Sequence, residues 1–327
     1  MRASKIYTDW ANYYLERAKS KRKVSDLSAD CRDGLLLAEV IEAVTTFKVP
    51  DLAKKPKTPQ HMKIKTRDLI VQGYDTYPGQ FPWHVAIFHR KNRHTIEYAC
   101  GGSLISRNFV LTAAHCTKSK DGYEFSAKRL SVYVGIHDKH ELGSNLAQHS
   151  VYEIHRVSPE DQWVNLRNDI ALLELNGNVR FTNYVQPICL NSLNLSYEAV
   201  GTVPGWGRTE EHETSDILKI ASLPIVTTID CLASDRGAFG EMLDNGIICA
   251  GYRNGTRVCT GDSGGGLVVK QCSILGCSWT VLGIVSFASS DEKGSCRSDG
   301  YGLFTKVQTY LPWIKQTTFV ANVGTNP

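Results

Sequence analysis

Three short segments, in a fixed order along the chain, most constrain what this sequence can fold into. A histidine lies in residues 111–116, an aspartate in residues 168–173, and a serine flanked by glycines in residues 257–266. The pattern Gly-x-Ser-x-Gly occurs in unrelated hydrolases, so the serine segment alone indicates little. The order His, Asp, Ser excludes an α/β-hydrolase, in which the serine comes first.

The residues of these segments fit nucleophilic catalysis. A serine between glycines can lie on a tight turn with its hydroxyl exposed, and the glycines let a carbonyl approach the backbone. The N–H groups of Gly261 and Ser263 would then form an oxyanion hole. Any one of these residues alone is more often structural, as a turn serine, a capping aspartate or a buried histidine. Together, in this order, they favour catalysis by His115, Asp169 and Ser263.

Residues 70 to about 316 resemble a trypsin- or chymotrypsin-like (S1) serine peptidase. The order of the three segments agrees with that family, and residues 70–73, 82–83, 100–105, 205–207, 286–287 and 302–307 match its other motifs. The resemblance implies an all-β fold of two six-stranded antiparallel barrels with a C-terminal helix. Short β-type runs broken by Gly, Asn and Asp agree with antiparallel barrels.

The resemblance also implies a role for each residue. Ser263 is the nucleophile, His115 the general base and then acid, and Asp169 the residue that orients the imidazole. The reaction needs no cofactor and no metal. The expected partners are protein or peptide substrates and serpin-type inhibitors.

The implied substrate pocket departs from the trypsin pattern. Its walls are Ser286, Ala288 and Gly302, and its base is Arg257, where trypsin-like members carry Asp. A guanidinium there disfavours Lys or Arg substrates and favours apolar or acidic ones. The alternative, that Arg257 turns outward and only shortens the pocket, stays open.

The implied activation site also departs from the pattern. In the family, cleavage frees the amine of the residue matching Ile70, which pairs with the acid matching Asp262. Leu69 precedes that bond here, where Arg or Lys is usual, so we expect Leu-directed cleavage or self-cleavage. Such sites resemble those of insect haemolymph modular proteases that start immune cascades.

Ten cysteines indicate an oxidising compartment. Cys272 and Cys277 could close a hairpin as a disulfide or, as a disfavoured alternative, bind zinc. Cys189 and Cys31 remain without an assigned pairing. The family resemblance implies the disulfides Cys100–Cys116, Cys231–Cys249 and Cys259–Cys296.

The first sixty residues have a different character. Ile6, Trp10, Tyr13 and Tyr14 fall on one helical face, and residues 7–12 and 33–39 resemble the first half of a calponin-homology domain of neuron-navigator type. Actin binding is disfavoured because two helices cannot bury both apolar stripes. We therefore predict a helical segment at 1–62, a linker and activation segment at 63–69, the peptidase domain at 70–316 and a tail at 317–327.

Charge and hydropathy narrow the partners further. The net charge of +4 divides into +7 for residues 1–67 and −3 for the remainder. Without aromatic platforms the basic segment does not predict nucleic-acid binding, and no apolar run predicts a membrane span. We expect a secreted peptidase, although the first residues lack the apolar core of a signal peptide. Asn194 and Asn254 are candidate glycosylation sites.

Two other functions stay open. A catalytically silent homologue could act as a binding module if activation fails. A cytoskeletal protein led by the N-terminal segment is the third possibility, and the missing half of that module argues against it.

Overall fold

The computed structural model describes most of the chain from Tyr74 onward. The chain divides into two compact units, Met1–Arg67 and Asp68–Pro327. In the first unit Asn12, Leu15 and Glu16 are described and are helical, while the predicted stripe of Ile6, Trp10, Tyr13 and Tyr14 lies outside the described residues. In the second unit the described residues are 74–92, 95–119, 121–140, 148–157, 167–192, 199–208, 214–253, 258–273, 276–288, 296 and 300–324.

The described residues contain thirteen strands, of which the first, β1 (Tyr74–Asp75), is a short edge strand. The next six strands close into an antiparallel barrel in the order β2-β3-β4-β7-β6-β5. Three of them, at residues 109–112, 130–134 and 171–175, are buried at every residue. These strands are β2 (His84–Arg90), β3 (Ile96–Leu104), β4 (Phe109–Thr112), β5 (Leu130–Val134), β6 (Gln148–Arg156) and β7 (Ala171–Leu175).

The remaining six strands form a second closed barrel, because its two end strands pair with each other. They are β8 (Val200–Gly205), β9 (Lys219–Val226), β10 (Ile247–Ala250), β11 (Gly266–Ser273), β12 (Gly276–Ala288) and β13 (Gly302–Lys306). Strand β9 alternates between buried and half-buried residues, the period of a strand with one face on the core. Strand β1 adds to the outer edge of β9.

The helices are short except for the last one. Helix α1 (Thr228–Ser234) has Thr227 as its N-cap, whose side chain accepts a hydrogen bond from the Asp230 N–H, and α2 (Arg236–Phe239) follows it. Helix α3 (Val307–Gly324) follows β13 directly and includes residues 317–324, which the sequence assigns to a tail. The predicted architecture of two six-stranded barrels and a C-terminal helix is therefore confirmed. No helix in the described part of the chain is both long and apolar enough to cross a membrane.

Four disulfides fasten the loops and hairpins of the second unit. Cys272 and Cys277 face each other across the β11–β12 hairpin, and they are joined to each other. The other three bridges are Cys100–Cys116, Cys231–Cys249 and Cys259–Cys296. Among the described cysteines Cys189 is an exposed free thiol, whereas Cys31 lies outside the described residues.

Candidate active site

The histidine segment follows directly from strand β4. His115 lies in a single 3₁₀ turn, Ala114–Thr117, that begins two residues after the buried strand ends at Thr112. The Cys100–Cys116 disulfide fastens this turn to β3. A tether on the neighbouring residue restricts the positions that the imidazole can take.

Asp169 lies just before strand β7 and is almost completely buried, at 2% exposure. Its Oδ1 accepts a hydrogen bond from the His115 backbone N–H at 2.9 Å, and its Oδ2 lies 2.9 Å from His115 Nδ1. The Ser286 hydroxyl donates to Oδ2 at 2.5 Å. The carboxylate thus holds both the backbone and the ring of His115.

These contacts shift both pKa values toward the ion pair. Burial alone would raise the pKa of Asp169, but the charge of His115 and the hydrogen bonds from His115 and Ser286 outweigh it and lower that pKa. Burial alone would lower the pKa of His115, but the charge of Asp169 and their hydrogen bond outweigh it and raise that pKa. Asp169 therefore stays ionised and favours the imidazolium that forms when His115 takes a proton.

The Ser263 loop is held between the two barrels. The Gly101 N–H donates to the Ser263 carbonyl at 2.8 Å, and the Gly264 N–H donates to the Val285 carbonyl at 2.9 Å. Strand β3 of the first barrel and strand β12 of the second therefore form hydrogen bonds with the adjacent residues Ser263 and Gly264. Ser263 itself is half-buried.

Gly264 must be glycine in this loop. Its φ of +76° is left-handed, and a Cβ there would lie 2.3 Å from Thr112 Oγ1 and 2.6 Å from the Gly101 carbonyl oxygen. The same Cβ would lie 3.0 Å from Cys116 Sγ, beside the histidine turn. The loop that carries Ser263 thus packs directly against the segment that carries His115.

Asp262 is a second buried acid, at 1% exposure. Its carboxylate accepts hydrogen bonds from the Gly207 N–H at 2.9 Å and the Cys259 N–H at 3.0 Å. Burial raises its pKa to about 6, although both hydrogen bonds act in the opposite direction. Within the described part of the chain no cation pairs with it.

The residues predicted to form the pocket walls lie on the paired strands β12 and β13. Ala288 faces Gly302 in their register, and Ser286 is buried at 8% exposure. The Cys259–Cys296 bridge joins the segment before Ser263 to the segment between β12 and β13. Five of the predicted site residues lie outside the described residues: the predicted pocket base Arg257, Leu69 and Ile70 of the predicted activation site, and the glycosylation candidates Asn194 and Asn254.

Two groups of possible metal ligands lie together among the described residues. One is Cys100, His115 and Cys116, whose cysteines are joined in a disulfide and offer no thiolate. The other is Glu153, His155 and Glu174. Its imidazole bonds Glu174 through Nε2 at 3.0 Å and faces Glu153 through Nδ1 at 4.0 Å. Each ring nitrogen therefore faces a different carboxylate.

Two contacts with the site were missed by sequence reasoning. The Thr305 hydroxyl donates to the Asp169 carbonyl at 3.0 Å, and Tyr98 donates its hydroxyl to the Gly261 carbonyl at 2.6 Å. A threonine beside Leu303 and Phe304 in strand β13 signals a buried polar partner. No local signal marks Tyr98, because its partner lies 163 residues away.

Comparison with known proteins agrees with this architecture. A family model for trypsin matches residues 70–314, and one for the calponin homology (CH) domain matches residues 1–98. The chain is 34% identical over 272 residues to phenoloxidase-activating factor 1 of Holotrichia diomphalia, an alignment that covers 76% of this chain and 69% of that protein.

Two clotting factors are similar to the same degree. Clotting factor C of Tachypleus tridentatus and Limulus clotting factor C of Carcinoscorpius rotundicauda are each 34% identical over 258 residues, covering 76% of this chain. The chain spans 25% of the length of each. With its two barrels and its trypsin match over three quarters of its length, the chain belongs to the trypsin family of serine proteases.

Proposed function

We propose that this chain is a serine endopeptidase that hydrolyses peptide bonds through an acyl-enzyme. Ser263 attacks the carbonyl carbon while His115 takes its proton, and His115 then protonates the leaving amine. Water then attacks the resulting ester while His115 takes the proton of the water, and His115 returns that proton to the Ser263 oxygen as the ester breaks. The observation that carries the proposal is the buried Asp169 carboxylate, which accepts three hydrogen bonds, two from His115 and one from Ser286.

The hydrogen bonds to Asp169 assign the two ring nitrogens of His115. Because Asp169 is ionised and accepts only, Nδ1 carries the proton that it shares with Oδ2. Nε2 is then the basic nitrogen, available to the Ser263 hydroxyl. Asp169 also stabilises the imidazolium during each proton transfer, which supports the assignment of roles made from the sequence.

The proposed oxyanion hole consists of the Gly261 and Ser263 N–H groups. These donors would stabilise the negative charge on the tetrahedral intermediate, a contribution of about 10²–10³ in kcat for one donor. The hydrogen bonds from both barrels to the Ser263 loop support this role, because donors held in place need no reorganisation during the reaction.

Activation by cleavage before Ile70 is supported by the burial and the raised pKa of the Asp262 carboxyl group. A carboxylate at 1% exposure whose pKa is raised to about 6 is poorly stabilised by neutral donors alone. A new amine at Ile70 would supply the cation that a buried carboxylate needs. Leu69 makes self-cleavage or a Leu-directed protease the proposed activator.

We propose that the enzyme prefers apolar or acidic side chains before the scissile bond. Arg257 at the pocket base would repel Lys and Arg, and an acidic side chain could pair with it. Leucine would fill the upper pocket between Ala288 and Gly302 without reaching the charge. Leu69 before the activation bond agrees with the apolar preference.

The proposed setting is an extracellular protease cascade. Four disulfides support an oxidising compartment, and the relatives include an activating factor and two clotting factors. Serpin-type inhibitors are the proposed regulators. We assign no actin-binding role to residues 1–67.

A second candidate is a silent homologue that binds partners without cleaving them. The feature that favours it is Leu69, because a chain without an activator would keep an ordered triad inactive. The two candidates differ in whether the form beginning at Ile70 turns over substrate.

A peptide library tests the proposal and the specificity together. The form beginning at Ile70 is incubated with the library, and the new chain ends are read by mass spectrometry, with Ser263→Ala as the control. We expect cleavage after Leu or acidic residues by the first protein only. Arg257→Asp should move the preference toward Lys and Arg. Cleavage by both proteins, or by neither, would refute the endopeptidase proposal, and strong wild-type cleavage after Arg would refute the pocket assignment alone.

A further inference from the structure

The peptide group between Gly261 and Asp262 is held at both of its polar atoms. The Gly261 carbonyl oxygen accepts the Tyr98 hydroxyl at 2.6 Å. The Asp262 N–H on the other side of the same peptide donates to the Cys259 carbonyl at 3.0 Å. Because a peptide group is planar, these two hydrogen bonds fix its orientation.

The Gly261 N–H lies in the preceding peptide group, whose Thr260 carbonyl accepts the Arg208 N–H at 2.9 Å, and the two peptide groups meet at the Gly261 Cα. Gly261 has a φ of +100°, which side-chain-bearing residues rarely adopt, and a Cβ there would lie 3.0 Å from Gly207 Cα. Glycine gives this position its left-handed conformation but also leaves the backbone free to rotate. Because Arg208 holds only the preceding peptide group, a contact on the following peptide group is also needed to keep the Gly261 N–H aimed at one point.

Tyr98 is placed and packed so that its hydroxyl supplies that contact. It lies in β3 of the first barrel, and its ring packs edge-on against Phe88 at 5.6 Å and Trp206 at 5.9 Å between centroids. Lys139 Nζ lies 5.1 Å from the centre of the ring. The rotamer is thus fixed on several sides. Burial, with a smaller contribution from the charge of Asp262, raises the pKa of the phenol well above its ordinary value, so the hydroxyl keeps its proton.

We propose that Tyr98 is a positioning residue of the oxyanion hole, whose hydroxyl reaches from the first barrel to Gly261 in the second and holds the Gly261 N–H toward the developing oxyanion. This inference rests on the proposed peptidase function. Tyr98 touches no reacting atom and acts through Gly261. Loss of the hydroxyl should weaken binding of the transition state and leave binding of the substrate unchanged.

The test is Tyr98→Phe, with Tyr133→Phe as the matched control. Both tyrosines are edge-on neighbours of Phe88 in the first barrel, and both substitutions remove one hydroxyl while keeping the ring. For Tyr98→Phe we expect kcat to fall about tenfold, as for one lost hydrogen bond, with an unchanged KM. The inhibition constant of a peptide aldehyde should rise by the same factor, because its hemiacetal oxygen occupies the oxyanion position. Tyr133→Phe should change neither quantity.

A second measurement does not depend on catalysis. Both substitutions are made in the Ser263→Ala chain, and hydrogen exchange of the Asp262 amide is followed by NMR. Exchange should be about tenfold faster with Tyr98→Phe than with Tyr133→Phe. Equal exchange in the two chains, or equal aldehyde inhibition in the active ones, would overturn the inference. An inactive wild-type protein would refute the peptidase proposal, and the amide exchange would still decide the role of Tyr98.

Discussion

Alanine at Gly264 should damage the active site by an amount that can be worked out from its neighbours. The left-handed φ of +76° costs an alanine about 1–2 kcal/mol. The new Cβ would also lie 2.6 Å from the Gly101 carbonyl oxygen, which is backbone and cannot rotate away. Overpacking of this kind costs about 1–3 kcal/mol. We therefore expect Gly264→Ala to lower the free energy of unfolding by about 2–5 kcal/mol.

Gly122 provides the matched control, because it has a similar φ of +84° and nothing within 4 Å of an added Cβ. Gly122→Ala should lose only the conformational part, about 1–2 kcal/mol. Denaturant unfolding followed by tryptophan fluorescence measures both losses, and kcat/KM on a peptide substrate reports the displacement of Ser263. We expect activity to fall at least tenfold for Gly264→Ala alone. Equal losses of stability and activity in the two variants would refute the steric argument.

Three further predictions concern the triad and the disulfides. The acid limb of the kcat/KM profile should have its midpoint above pH 6.5, because hydrolysis needs neutral His115 and Asp169 raises the pKa of His115. Asp169→Asn should lower kcat by about 10⁴-fold and move the midpoint of the remaining activity to lower pH. An unmoved midpoint would contradict this prediction. Ser286→Ala removes the 2.5 Å hydrogen bond to the Asp169 carboxylate and should lower kcat about tenfold, whereas unchanged kinetics would show that this bond does not orient the acid. Replacing both Cys272 and Cys277 by serine opens a loop of sequence separation 5. This should lower the free energy of unfolding by about 2 kcal/mol and leave kcat/KM unchanged. A loss of activity would show that the hairpin supports the active site.

Local motifs were enough to predict the fold and the segments of the proposed active site. The segments around His115, Asp169 and Ser263 each contain a residue type that catalysis needs, and the family resemblance that they support implied the two-barrel architecture. Three of the four disulfides could be assigned only through the family resemblance, because spacing does not determine connectivity, whereas Cys272 and Cys277 were expected to pair because they flank a short hairpin loop. The structure then gave the three hydrogen bonds of the Asp169 carboxylate, which no sequence pattern specifies.

Contacts between the two barrels could not be predicted. Tyr98 and Gly261 are 163 residues apart, and a contact made by a single hydroxyl produces no periodic pattern in the sequence. The need for glycine at Gly264 follows from Thr112 and Gly101, which approach it only after both barrels have closed. Sequence reasoning places residues on elements, whereas these requirements arise where separate elements meet.

The most direct test of the central claim is covalent labelling of Ser263. The form that begins at Ile70 is treated with an organophosphonate whose side chain is apolar, and intact mass and peptide mapping locate the adduct. Because His115 and Asp169 would activate only the Ser263 hydroxyl, we predict one adduct per chain, on Ser263, and none on Ser263→Ala. An adduct that persists in Ser263→Ala, or a wild-type protein that acquires none, would contradict the account.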